Sequence, residues 1–120
     1  MKISEIRDLL DAKVMTGEEA LDHEVSSACC SDMMSDVLAY VKDQGVLITG
    51  LVNPQVIRTA VMMDMVCVVF VRSKAPTPEM LKLAKESGIV VMSTEKRLYE
   101  ACGILYSNGL IGHTAKGAVQ

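Results

Sequence analysis

From Val25 onward, short apolar runs alternate with segments whose apolar positions recur at helical spacing. The runs are Val25–Cys30, Val46–Thr49, Val66–Val71 and Ile89–Met92. All but the first are nearly continuous in Val, Ile, Leu and Phe, the mark of strands covered on both faces. Their starts lie about 20 to 23 residues apart, room for one helix in each crossover. This spacing predicts a parallel α/β sheet. Between Asp32 and Gln44 the residues Met33, Met34, Val37, Leu38 and Val41 form one stripe facing that sheet. The later helices repeat it with Val56, Ile57, Ala60 and Val61, then Leu81 and Ala84, then Leu98, Ala101, Cys102 and Leu105. Gly45 and Gly88 stand where helices reverse into strands, the place for residues that enter the left-handed region without a Cβ penalty.

The chain ahead of Val25 carries a weaker pattern. Ile3, Ile6, Leu9 and Leu10 predict a first helix, Lys13–Met15 a short fifth strand whose direction the pattern does not give, and residues 16–22 a turn. Residues 109–120 have no period and are expected to be a mobile tail or a late edge segment. No linker, low-complexity block or repeat divides residues 1–120, which are expected to form one domain.

Composition narrows the function. With 120 residues and 50% of them hydrophobic, the chain can build one core. A net charge of −3 with both signs interspersed offers no field for a phosphate backbone, and one Phe, three Tyr and no Trp offer few stacking platforms. Nucleic acid is not an expected partner. No apolar run has signal-peptide or bilayer length, so a cytoplasmic protein without membrane contact is expected. The four cysteines, at 29, 30, 67 and 102, contain no C-x-x-C pair and read first as packed thiols, Cys29 and Cys30 pointing to opposite faces of a strand. The alternative is an iron-sulfur or other metal-handling role for Cys29, Cys30 and Cys102. The apolar fraction, with Met-rich segments at 32–34 and 61–65, predicts a homodimer.

Several chemistries are missing. There is no G-x-x-x-x-G-K-[ST] phosphate loop, since in residues 109–117 Ala115 precedes Lys116, and no G-x-G-x-x-G. His23 and His113 sit beside no nucleophile motif, and the adjacent carboxylates Glu18 and Glu19 fall in a charged turn. The chain is therefore not expected to be an enzyme, nor to carry a cofactor or metal. What remains is polar residues at the carboxyl ends of the strands, where parallel sheets bind ligands. These ends carry Ser31 and Asp32, Thr49 with Gly50 and Asn53, Arg72 with Lys74, and Ser93 with Thr94, with Gln55 and Arg58 just beyond. The candidate ligand-binding set is Asp32, Thr49, Gly50, Asn53, Arg72 and Thr94, for a nucleotide or other anion. A plainer reading stands beside it. Ser31 or Asp32, Asn53, Thr77 and Thr94 are each suited to cap a helix, with Pro54 and Pro78 at first helical positions, each cap contributing about 1 kcal/mol.

The segments "SDMMSDVLAYVKDQGVLITGLVNPQVIRTA", "VVFVRSKAPTPEMLKLAKESGIVVMST" and "LYEACGILYSNGL" resemble the DRTGG domain family over nearly the whole chain. The literal Asp-Arg-Thr-Gly-Gly string is absent. Thr49-Gly50 is its nearest counterpart, with Leu51 in place of a second Gly. The resemblance implies a three-layer α/β/α sandwich with a mostly parallel sheet of about five strands, similar to the N-terminal domain of HPr kinase/phosphorylase, which lacks the kinase active site. Related domains accompany CBS domains in pyrophosphatases and occur within phosphotransacetylases as non-catalytic regulatory parts. Stand-alone members are linked with iron-only hydrogenase and NADH-oxidising flavoprotein subunits. The resemblance thus implies a regulatory, ligand-sensing or scaffolding domain attached to a redox system.

Overall fold

The computed structural model describes residues 1–34, 37 and 45–111. In chain order the elements are α1 (Ile3–Leu10), β1 (Lys13–Thr16), a 3-10 turn (Glu18–Ala20), β2 (Ser27–Cys30), β3 (Gly45–Thr49), α2 (Pro54–Met62), β4 (Cys67–Phe70), α3 (Pro78–Ser87), β5 (Val90–Ser93) and α4 (Leu98–Ser107). The sheet has five strands in the order β1-β5-β4-β3-β2. β2, β3, β4 and β5 are parallel to one another, and β1 closes the far edge antiparallel to β5, a direction that four residues could not encode.

Alternation along each strand feeds two cores. Val46 and Ile48, Cys67 and Val69, and Val90 and Met92 face α1 and α4, against Ile3, Ile6, Leu10, Ala101 and Leu105. Leu47, Val68 with Phe70, and Val91 face α2 and α3, against Val56, Ile57, Ala60, Met80 and Ala84. The result is the expected three-layer α/β/α sandwich. No helix among the described residues is long and apolar enough to cross a membrane.

Local chemistry sets the helix ends. Asn53 Oδ1 accepts the Gln55 N–H at 2.8 Å and Thr77 Oγ1 accepts the Met80 N–H at 3.2 Å, with Pro54 and Pro78 opening α2 and α3 as expected. Gly88 ends α3 at φ 75, while Gly45 is already the first residue of β3, paired with Ser27. Thr94 is no helix cap: α4 starts at Leu98 with Arg97 before it. Instead the buried Thr94 hydroxyl donates to the Leu10 carbonyl at 2.7 Å and accepts from the Lys96 N–H at 3.2 Å, tying the end of β5 to the end of α1.

The remaining expectations meet different outcomes. The helix expected over residues 32–44 falls mostly outside the described residues, Leu38 and Val41 included, although Val37 is buried against the α2 and α3 core. Val61 is 42% exposed: the buried arc of α2 is centred on Val56 and Ala60, and Val61, about 100° beyond Ala60, falls past its edge. On α3 the fully buried Met80 leads the stripe, ahead of the half-buried Leu81. Of the expected tail, residues 112–120 lie outside the described residues, whereas Leu110 is buried and the Ile111 carbonyl accepts the Ala28 N–H at 3.1 Å, so this part runs along the outer edge of β2.

Thr59, fully buried on α2, has a hydroxyl with no hydrogen-bond partner among the described residues. A buried unmatched hydroxyl loses its hydration for nothing, and Val has nearly the same shape. Thr59→Val should therefore raise the unfolding free energy by about 1 kcal/mol, read as a higher urea midpoint at unchanged m-value.

Candidate functional site

Because β2 to β5 are parallel, their carboxyl ends share one edge, and the polar residues flagged along the chain are gathered there. Asp32, two residues past the end of β2, reaches across to the end of β3. Its Oδ1 accepts the Thr49 hydroxyl at 3.0 Å and the Gly50 N–H at 2.7 Å. The Thr49 Oγ1 in turn accepts the Leu51 N–H at 3.1 Å. The strand-to-helix corner at Thr49-Gly50 thus holds an anion already, the chain's own carboxylate.

At the end of β4 the backbone takes an unusual path. Arg72 and Ser73 have φ of 57 and 58, two successive left-handed residues without a glycine between them. Each such residue costs on the order of 1 kcal/mol. The pair is held by hydrogen bonds from the Arg72 N–H to the Lys96 carbonyl at 2.8 Å and from the Ser73 N–H to the Thr94 carbonyl at 2.9 Å. The Ser93 hydroxyl adds a third tie, donating to the Lys74 carbonyl at 2.8 Å. This turn lays the Arg72 side chain over Gly50: a Cβ built on Gly50 would lie 2.5 Å from Arg72 Nη2. Any larger residue at Gly50 would displace the guanidinium, the free end of a flexible side chain, so the missing Cβ sets where Arg72 rests.

Beside Arg72 the surface is hollow. A polar concavity of about 400 Å³ is lined by Arg72, Ser73, Glu95 and Arg97. A second, of about 390 Å³, has Leu10, Met15 and Ala75 as its apolar lining and Lys13, Ser93 and Thr94 among its polar groups. Ser73 and Glu95 line both, so the two form one trough across the ends of β4 and β5. Among the described residues neither the Arg72 nor the Arg97 guanidinium lies within 4.0 Å of a carboxylate.

The six sequence-derived candidates therefore divide. Asp32, Thr49, Gly50 and Arg72 are brought together in one contact group, and Asn53 caps α2 just beyond them. Thr94 joins the group through its backbone, its carbonyl accepting the Ser73 N–H, but its hydroxyl is committed to Leu10 and Lys96. Sequence reasoning did not single out Arg97 and Glu95, or Leu10 and Lys13 as trough residues. The last two arrive from α1 and β1, whose placement beside β5 depended on the unread direction of β1. The cysteine trio is split by the strand pleat: Cys30 is disulfide-bonded to Cys102 on α4, with Cα atoms 6.5 Å apart, while Cys29 packs on the opposite face. The three do not converge as metal ligands, and no group of three or more His, Cys, Asp or Glu among the described residues could hold a metal ion.

A family model for the DRTGG domain matches residues 5–107, and the chain belongs to that family. No curated protein matches the chain. In fold it is similar to the crystal structure of the CBS and DRTGG domains of the regulatory region of Clostridium perfringens pyrophosphatase, complexed with the activator diadenosine tetraphosphate. The TM-score is 0.73 at 17% sequence identity, and the match covers 87% of this chain but 45% of that one, so this chain spans less than half the length of that structure.

Two outcomes test the site's construction. Asp32→Ala strips a buried hydroxyl and amide of their acceptor and should cost roughly 1 to 3 kcal/mol of stability, whereas Asp32→Asn, which keeps an acceptor oxygen, should cost less than half as much. Ser73→Gly, which removes the Cβ conflict of the left-handed backbone, should stabilise by about 1 kcal/mol. Chemical denaturation of the three variants reads both.

Proposed function

We propose that this DRTGG domain is a regulatory, non-catalytic module that senses an anionic ligand of the nucleotide class in the trough beside Arg72. The observation that carries the reading is the Arg72 guanidinium, seated over Gly50 by a strained turn, with Arg97 on the same concavity and no carboxylate within 4.0 Å of either among the described residues. Arginine forks match phosphate oxygens, and costly backbone that aims a cation at open surface is the kind of strain that accompanies binding. The adjoining concavity sets Leu10, Met15 and Ala75 among Ser93, Thr94 and both signs of charge from Asp11, Lys13, Glu95 and Lys96, and its volume of about 390 Å³ lies in the range of small-molecule sites. The structurally similar pyrophosphatase regulatory region was crystallised with a dinucleotide activator, which supports the same ligand class. Asp32, Thr49 and Gly50 act in this reading as the platform on which Arg72 rests, Asn53 as the cap of the helix that follows, and Thr94 as part of the lining of the adjoining concavity.

Catalysis is not part of the proposal. The Ser93 hydroxyl is spent on the Lys74 carbonyl and the Thr94 hydroxyl on that of Leu10, which leaves neither held by a base. A sensing module acts through another protein, and the resemblance to stand-alone domains linked with hydrogenase and NADH-oxidising flavoprotein subunits supports a redox enzyme as that target. The homodimer expected from composition belongs to the same reading. It is supported by Tyr99 and Tyr106, 90% and 67% exposed and two turns apart on α4. Sedimentation of Tyr99→Glu against the wild type reads it, a dimer lost on substitution being the expected result.

Titration calorimetry with AMP, ATP and diadenosine tetraphosphate tests the ligand. Binding of at least one is expected, weakened roughly tenfold or more in Arg72→Ala and to a similar extent in Gly50→Ala, whose methyl group would push the guanidinium aside. The nucleotide should be recovered unchanged. Absence of heat with all three, or affinity indifferent to Arg72, overturns the assignment.

A further inference from the structure

The thiol inventory of the molecule is sharply uneven. Cys67 is fully buried in β4, and burial pushes its thiol well above the ordinary range, which leaves it unreactive. Cys29 is half-buried on the α2 and α3 side of the sheet. The Cys30–Cys102 disulfide lies on the other side, with Cys30 exposed and Cys102 half-buried. It joins residues 72 apart, linking the last residue of the edge strand β2 to the middle of α4. Disulfides that solvent reaches are open to attack by small thiolates, unlike those sealed in a core.

Its position gives that exposure a consequence. Cys30 is two residues before Asp32, the carboxylate that holds the Thr49 hydroxyl and the Gly50 amide. On its outer side β2 meets no further strand among the described residues, and the Ala28 N–H donates there to the Ile111 carbonyl. Between Cys30 and Asp32 the chain is fixed to β3 by the Ser31 N–H bond to the Ile48 carbonyl at 3.1 Å. The disulfide is thus the covalent clamp on the segment that delivers Asp32 to the corner.

We propose that Cys30–Cys102 is a redox-active disulfide, exchanging with low-molecular-weight thiols of the glutathione class, and that its state sets how firmly Asp32 holds the Thr49-Gly50 corner. A small thiolate attacks Cys30 Sγ, the Cys30–Cys102 bond breaks, and Cys102 leaves as a thiolate that takes up a proton. A second small thiolate attacks the mixed disulfide on its own sulfur and releases Cys30, which is protonated in turn. Two small thiols become one small disulfide, and the protein gains two electrons and two protons. Oxidation by the small disulfide runs the same steps backward. The inference does not depend on the ligand proposed above, because the corner is built by the chain's own groups.

The test is a redox titration of the full chain in mixtures of reduced and oxidised glutathione, quenched in acid, with thiols counted after denaturation. Since the chain has four cysteines, the expected counts are two in oxidising and four in reducing mixtures, reversibly. Hydrogen exchange supplies the second readout. Reduction should speed exchange of the Gly50 and Leu51 amides roughly tenfold while those of Val68 and Val69 in β4 change less than about twofold. Cys102→Ser should show the fast Gly50 exchange in both buffers. A count fixed at two in excess reduced glutathione, or at four in excess oxidised glutathione, overturns the proposal. So does Gly50 exchange indifferent to reduction, or exchange that rises equally across β4, which would make the bond a structural cross-link of the whole domain.

Discussion

The parallel pairing of β2, β3, β4 and β5 is the constraint from which the rest of the molecule follows. Parallel strands need a crossover between each pair, the crossovers need helices, and helices on both faces require strands that are apolar on both faces. β3 and β4 meet this demand with no exposed position. The same geometry delivers every strand exit to one edge, where main-chain groups leave the sheet and must find other partners. Side chains supply them. Asp32 serves the exit of β3, Asn53 and Thr77 the starts of α2 and α3, and Thr94 the last carbonyl of α1. Much of the polarity at that edge is therefore structural, and function must be sought in what remains after those obligations are met.

Arg72 is the most constrained of what remains. Its backbone conformation is unfavourable for a residue with a Cβ, as is that of Ser73, and two hydrogen bonds from this pair to the β5–α4 connection hold it in place. A turn built only to reverse the chain would be cheaper with glycine at either position. Arginine at position 72 does something glycine there could not: it sets a guanidinium against Gly50, at the mouth of a trough. Strain on one strand exit and a missing Cβ on the next are separate features of the sequence, and they meet at a single atom group.

How much of this could be read beforehand depended on the range of the interaction. Strand positions were legible because two-sided burial writes an unbroken apolar run, and the caps at Asn53 and Thr77 because a capping side chain acts within three residues. Thr94 looked like a cap by the same local rule, yet its hydroxyl serves Leu10, 84 residues away, and no local pattern encodes that distance. The opposite facing of Cys29 and Cys30 was legible from the pleat, whereas the disulfide of Cys30 with Cys102, where packed thiols were expected, required knowing that α4 packs on the β2 side. Val61 was misassigned because a four-residue stripe leaves the centre of a helix's buried arc undetermined by nearly a full residue. The left-handed pair at Arg72 and Ser73 left no trace at all, since neither residue type favours that conformation.

The distribution of charge at the corner decides between two places where an anion could sit. Binding at the Gly50 amide would require expelling Asp32 Oδ1 from two hydrogen bonds and bringing a second negative group beside that carboxylate. It would also strip the buried Thr49 hydroxyl of its acceptor, a loss on the order of 1 to 3 kcal/mol before any ligand contact is made. On the far side of Gly50 no such displacement is needed, because the Arg72 donors have no carboxylate within 4.0 Å among the described residues. Asp32 thus acts twice: it satisfies the polar groups of the Thr49-Gly50 corner, and it fixes the surface on which the Arg72 guanidinium rests, so that one carboxylate shapes both sides of Gly50.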